Sequence, residues 1–449
     1  MKRTLALLTV LLLAPLATLH AAGAPAKPAA SKPNIIFILA DDLGIPGVGC
    51  YGGAFKTPNL DSLAAGGTRF EYCFSAPLCA PSRAMLMTGR YAFRTGVTGN
   101  HNGEQVTPQK DGCVAQLMKQ AGYATALAGK WRQLTHLSTK EDSAKWGFDE
   151  FLTWGADDDE GKGDRYWNPD YNLNGGKLKD TNGKYGPDVL NDFAIDFIRR
   201  HKEGPFFLYY PTPLVHEPLE RTPDGQATKT SGKGKFKKAG SSLDALYADN
   251  IAYFDKLVGQ IVAELDALHL REKTLIVVSG DNGSVPIGTV NGRPVDGKKH
   301  GMNEGGSRVP LIANWRGVTP AGVVLKDLVD FTDMLPTFAE LAGAALPTDR
   351  KIDGHSYAPQ LRGEKGTPRE WAYVQLGEKR YVRSEGWKLT GSGKLYDMSD
   401  APFVEKPVSV ETDASKAARA KLQAALAGLH DDSAPEKPLS KKAMRKAAK

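Results

Sequence analysis

Long apolar runs are scarce in this sequence. One lies at the start, Leu5 to Leu16, behind Lys2 and Arg3 and ahead of the small residues Ala21 and Ala22. That layout reads as a cleaved export signal over residues 1–22, its core being too short for a comfortable membrane span. No lipobox cysteine follows, and no later segment is long and apolar enough to cross a bilayer. An exported protein without a membrane span, periplasmic or secreted, is therefore expected. Cysteine is sparse as well: Cys50, Cys73, Cys79 and Cys113 are the four. In an exported chain they allow two disulfides, or at most one if Cys79 is chemically converted. Charge of one sign is also missing. The excess of +7 is modest, and much of it sits in the lysine-rich stretches 233–238 and 441–449, which read as solvated segments. There is no basic stripe interleaved with aromatics, and no finger or helix-turn-helix pattern. A nucleic-acid partner is not expected.

What is present suffices for one large α/β domain and a smaller one, since 41% of 449 residues are hydrophobic. Residues 23–33 form an Ala/Pro/Lys tether, expected to be disordered. Structure should begin at Asn34, where Ile35-Ile36-Phe37-Ile38-Leu39 suits a strand covered on both faces. Strands and helices then alternate. Helices are expected from Pro58 to about Gly66, Val114 to Gln120, Pro187 to His201 and Leu243 to Leu268, with strands at Tyr123 to Ala128, Phe206 to Tyr210 and Leu275 to Val278. Such repeated units favour a mostly parallel sheet with helices on both faces. After a helix from Asp333 to Gly343 the pattern changes to short strands, Trp371 to Gln375, Tyr381 to Arg383, Trp387 to Thr390 and Leu395-Tyr396, that look antiparallel, and then one amphipathic helix from Ala414 to Leu429. These features predict a main domain over 34–346, a C-terminal subdomain of antiparallel sheet and helix over 347–431, and a basic flexible tail over 432–449.

Two of the parallel-type strands end in acidic or amide residues, Asp41-Asp42 and Asp281-Asn282. In α/β sheets ligands bind beyond the carboxyl ends of strands. Hard oxygen donors there suit calcium or magnesium rather than zinc. The plain alternative for either pair is a turn, which Asp and Asn favour.

The most specific signal is Cys79-Ala80-Pro81-Ser82-Arg83, continuing through Ala84 to Thr88-Gly89-Arg90. Here the chain resembles the type I, formylglycine-dependent sulfatase family, whose signature is Cys-x-Pro-Ser-Arg followed by Thr-Gly-Arg. The resemblance spans roughly Pro33 to Tyr396, including Lys394-Leu395-Tyr396-Asp397, and implies an alkaline-phosphatase-like fold. It implies that Cys79 is oxidised by a maturation enzyme to formylglycine, whose hydrate has two geminal hydroxyls. One attacks sulfur and releases the alcohol, and the other collapses to the aldehyde and expels sulfate. It implies Asp41, Asp42, Asp281 and Asn282, with the converted Cys79, as ligands of a divalent metal, calcium before magnesium, acting as a Lewis acid. Arg83 would hold the hydrate. Lys130, in Gly129-Lys130-Trp131, and Lys299, ahead of Glu304-Gly305-Gly306-Ser307-Arg308-Val309-Pro310, would hold sulfate oxygens. His216, in Val215-His216-Glu217-Pro218, would protonate the leaving oxygen. Arg308 and Glu304 are expected to order their turn, and His300 to assist or replace Lys299 as a substrate contact, a loop histidine being the alternative.

One departure stands out. The family has histidine after Gly-Lys-Trp, where this chain has Arg132, which cannot serve as a base but can bind an anion on the substrate. Nearby His136 is the candidate for the vacated role. Between Trp154 and Tyr171, aromatics and Asp157-Asp158-Asp159-Glu160 suit a polar cleft for sugar rings, an exposed acidic loop being the alternative. The expected reaction is hydrolysis of a sulfate ester on an aryl or carbohydrate alcohol. A phosphonate monoester or phosphodiester hydrolase with the same site, and a sulfated-glycan binding protein without turnover, are the alternatives.

Overall fold

The computed structural model describes residues 32–100, 103–131, 134, 137–154, 164–225 and 242–431. The export-type start, the 432–449 tail, the 233–238 lysines, Arg132, His136 and the Asp157–Glu160 acidic run lie outside them. Strand Asn34–Ala40 is wholly buried and sits at the middle of a ten-stranded sheet. From edge to edge the order is Val323–Asp330, Thr68–Phe74, Arg308–Asn314, Thr274–Gly280, Asn34–Ala40, Phe206–Pro211, Ala124–Lys130, Glu150–Trp154, Asn172–Leu173 and Gly176–Lys177. The five strands from Thr274–Gly280 to Glu150–Trp154 are parallel to one another. Arg308–Asn314 runs antiparallel to both its neighbours. The sheet is therefore mostly parallel, as the alternating pattern predicted.

Two apolar clusters flank it. Ile35, Phe37 and Leu39 face one, and Ile36, Ile38 and Ala40 face the other, the period-two alternation of a strand buried on both sides. Thr68–Phe74 and Val323–Asp330 were not foreseen. Both mix charged with apolar residues, Arg69 and Glu71 in the first and Lys326, Asp327 and Asp330 in the second, and Arg308 reaches Glu71 across the sheet at 2.6 Å.

A separate sheet of five antiparallel strands follows, Ala372–Leu376, Lys379–Arg383, Trp387–Thr390, Leu395–Asp400 and Val404–Pro407. The Asp413–Asp431 helix buries Leu422 and Leu429 in the same apolar cluster as Leu389 and Leu395 of that sheet. Among the described residues no helix is long and apolar enough to cross a membrane. All four cysteines are free thiols, so the reading of two bridges is not met.

Candidate active site

Register brings the two acidic strand ends together. Asn34–Ala40 and Thr274–Gly280 pair with Ala40 opposite Gly280, so Asp41-Asp42 and Asp281-Asn282 leave the sheet side by side. The Asp42 N–H donates to Asp281 Oδ1 at 3.0 Å, and Asn282 Nδ2 donates to Asp42 Oδ1 at 2.8 Å. Asp42 adopts φ 65°, in the left-handed region that few non-glycine residues visit outside constrained sites. The loop carrying His216 is stitched to the same edge: Asp41 N–H donates to Leu214 and Val215 N–H to the Asp41 carbonyl, at 2.8 and 2.7 Å.

Cys79 opens the buried helix Cys79–Thr88. Ser82 folds the approach by donating to the carbonyls of Ala76 and Leu78, and Pro81 lies in the first turn, where a missing N–H costs nothing. The Ala80 N–H is taken by Asn100 Oδ1 at 3.1 Å, a cap supplied from twenty residues away. Cys79 Sγ stands 3.4 Å from Asp41 Oδ1 and 3.9 Å from Asp42 Oδ1. Burial, then the Asp281 carboxylate, push its thiol well above the ordinary range.

Cations close on these acids. Arg83 grips Asp281 Oδ2 through Nε at 3.0 Å and Nη2 at 2.8 Å, with Asp41 Oδ2 at 3.6 Å. Lys130 Nζ meets Asp41 Oδ2 at 2.5 Å, and Lys299 Nζ meets Asp42 Oδ1 at 2.6 Å. Lys130 ends strand Ala124–Lys130, and Gly129 before it has φ 131° and a position where a Cβ would lie 2.0 Å from the Pro211 carbonyl, so only glycine fits. Burial raises Asp41, yet Lys130, His216, Arg83 and Lys299 outweigh it and hold the carboxyl well below its usual range. Asp281 is pushed up to about 6 by burial and by the Asp41 charge, although Arg83 opposes this. Three carboxylates thus face three cations, and the cluster is closed on itself in charge.

His216 joins them, with Nε2 3.8 Å from Asp42 Oδ2; burial lowers its imidazole to about 4. Asp41, Asp42, Cys79 and His216 present ligand atoms that all lie within 4.8 Å of one another. Asn282 Oδ1 is buried beside them with no hydrogen-bond partner. An idle buried acceptor next to carboxylates, in a set rich in oxygen, fits a hard divalent cation. His300 is exposed on the adjoining turn, its N–H donating to the Pro77 carbonyl just before Cys79. Glu304 and Arg308 stand behind the site: Glu304 is buried between Arg308, at 3.2 Å, and Arg383, at 2.8 Å.

Sequence reasoning missed two contributors. Asn100 carries no motif and is found only through its contact with Ala80. Arg165, shortly after the Asp157–Glu160 acidic run and just before Tyr166, donates to the His216 carbonyl at 3.0 Å and packs its guanidinium 5.0 Å from the ring centres of both Trp154 and Tyr166. Its only local signal is the cluster of aromatics around it.

The sulfatase family model matches residues 33–344. Among curated relatives, N-acetylgalactosamine-6-sulfatase of Canis lupus familiaris is 34% identical over 417 residues, spanning 84% of this chain and 76% of the relative. Arylsulfatase D of Homo sapiens is 29% identical over 456 residues, spanning 82% and 74%. Among solved structures, that of Ps i-CgsB in complex with k-i-k-neocarrahexaose aligns at TM-score 0.77 and 28% identity, over 90% of this chain and 94% of its own. The chain belongs to the sulfatase family and, with it, to the sulfuric ester hydrolases.

Proposed function

With membership of the sulfatase family as premise, we propose that this chain hydrolyses sulfate esters of carbohydrate or aryl alcohols, using a nucleophile made by oxidising Cys79 to formylglycine. The place of Cys79 carries the reading: its sulfur is buried at a helix start, 3.4 Å from Asp41, among three cations. A thiol held protonated there is a poor nucleophile, since reactivity belongs to the thiolate. Conversion to an oxygen nucleophile removes that obstacle and completes an oxygen-rich donor set. Asp41, Asp42, Asp281 and Asn282, with the converted residue, would hold a divalent cation, calcium by donor type with magnesium as the alternative. When bound, it would supply Lewis-acid polarisation of a sulfate oxygen.

The chain's own cations do the rest. Arg83, fixed by Asp281, orients the nucleophilic oxygen. With a divalent cation held among these carboxylates, Lys130 and Lys299 would no longer be needed to balance Asp41 and Asp42, and both ammonium groups would be available to the sulfate oxygens. His216, its imidazole raised again by the negative charge of a bound sulfate ester, gives a proton to the departing alcohol oxygen, and water restores the balance as ester becomes alcohol and sulfate. His300 is an outer contact for the substrate, and Arg132, by residue type, is a further anion-binding group. Sulfated carbohydrate is favoured by the names of the relatives above, and export by Lys2, Arg3 and the run to Leu16. A formylglycine-generating enzyme is the maturation partner.

The experiment is mass spectrometry of the tryptic peptide containing Cys79 after co-expression with that enzyme, alongside turnover of a nitrophenyl sulfate and a nitrophenyl phosphodiester. Conversion with sulfate turnover is expected. An intact thiol with no sulfate hydrolysed, or a large preference for the diester, overturns the reading.

A further inference from the structure

Beside this site stands a fourth cation that no carboxylate neutralises among the described residues. Arg165 makes no ion pair there, yet its guanidinium is half-buried, and Nε is fully covered without a hydrogen-bond partner. Three surroundings hold it. Its Nη2 donates to the carbonyl of His216 at 3.0 Å and to that of Glu217, and lies 3.3 Å from His216 Nδ1. Its face packs against Trp154 and Tyr166, each ring centre 5.0 Å away. Trp154 in turn ends strand Glu150–Trp154 in register with Lys130, whose ammonium is 5.9 Å from the same ring.

Two carbonyl acceptors require two N–H groups; they do not require a full charge. Keeping an unpaired guanidinium half out of water is unfavourable, and an arriving anion relieves it. The position is also informative. His216 adjoins the leaving alcohol in the reading above, so a cation fixed against His216 lies on the alcohol side of the cleaved bond. Lys130 lies on its sulfate side, and the Trp154 ring spans the two with an apolar face of the kind that sugar C–H groups cover. Arginine's planar fork matches sulfate and carboxylate oxygens.

We propose that Arg165, framed by Trp154 and Tyr166, binds a second oxyanion carried by the sugar whose sulfate is cleaved, so that multiply anionic saccharides are the preferred substrates. This rests on the hydrolase reading for its orientation. The oxyanion is a further sulfate or a uronate carboxylate.

The test compares kcat/KM for N-acetylgalactosamine 6-sulfate, its 4,6-disulfate, and a disaccharide joining a uronic acid to the 6-sulfated sugar. It uses the matured full chain, Arg165→Gln and Arg165→Lys. The parent is expected to prefer at least one dianionic substrate, and Arg165→Gln to lower that preference about tenfold or more, the usual worth of a charged hydrogen bond. The arm that falls tells sulfate from carboxylate. Arg165→Lys should recover part of the preference; if Arg165→Gln does not fold, this variant is read against the parent for a partial loss. A merely structural Arg165 would lower all three substrates equally, and an unchanged preference overturns the proposal. Calorimetric binding of the disulfate to Cys79→Ala, with and without Arg165→Gln, gives a readout independent of turnover. If no sulfate ester is cleaved but this affinity still depends on Arg165, the hydrolase reading fails and the anion site stands. If the affinity does not depend on Arg165, the anion site fails.

Discussion

Lys299 grips Asp42 with both carboxylate oxygens in reach, Nζ lying 2.6 Å from Oδ1 and 2.8 Å from Oδ2, and both side chains are buried. Without another cation, Asp42 depends on this lysine. Removing one partner of a buried pair costs about 3–5 kcal/mol because the other charge is left uncompensated. Lys299→Met is therefore expected to melt well below the parent in chelator. Added calcium should narrow the gap, since it supplies the lost positive charge. Thermal melts with and without calcium check this; an equal deficit in both conditions would count against a shared cation site.

Cys79→Ala should abolish turnover and leave the fold intact. The residue starts its helix, its side chain is small, and its sulfur is held by polar contacts to the two aspartates, so little packing is lost. Circular dichroism and a melt within a few degrees of the parent, together with no hydrolysis of nitrophenyl sulfate, are the expected results. Loss of folding would assign Cys79 a structural role instead.

His216→Ala tests proton donation by discriminating leaving groups. General acid catalysis is worth about 10²–10⁴-fold where the leaving group needs a proton. Turnover of a sugar sulfate should fall by that order, whereas a nitrophenolate, stable as an anion, should lose far less. Equal losses on both substrates would place His216 outside the proton-transfer step.

Glu304 offers a test of stability against pH. Burial favours its protonation, but Arg383 and Arg308 prevail and hold its carboxyl below the ordinary range. A depressed folded pKa contributes stability in full above the unfolded value, about 4.3. That contribution is lost as pH falls through the folded one. Glu304→Gln should thus be destabilised by about 3–5 kcal/mol at pH 7 in urea melts. Its deficit should shrink as pH drops below 4. A deficit that does not change with pH would mean that packing, not charge, dominates at Glu304.

Much of the architecture was legible because it is written locally. The run Ile35 to Leu39 marks a doubly covered strand, and Pro81 with Ser82 mark a helix start. The strands Thr68–Phe74 and Val323–Asp330 at one side of the sheet were not, since their charged positions mimic surface segments until a partner such as Arg308 is seen across the sheet. The site divides the same way. Asp41-Asp42, Cys79, Arg83, Lys130, His216, Asp281-Asn282 and Lys299 were each marked by residue type at a strand end or within a short motif. Asn100 and Arg165 were not: nothing within a few residues of Asn100 differs from an ordinary polar loop, and the aromatics beside Arg165 suggest a cleft without singling out that residue.

The amino-acid order by itself determined which chemical groups are present and on which element ends they sit, since periodicity and turn chemistry act over a few residues. Only the tertiary structure decided which groups meet. Arg83 binds Asp281 across 198 positions, and Lys299 binds Asp42 across 257, because the strand order and the alignment of Ala40 with Gly280 put those ends together. Long-range pairing of that kind is a property of the assembled sheet, and no local stretch of chain encodes it.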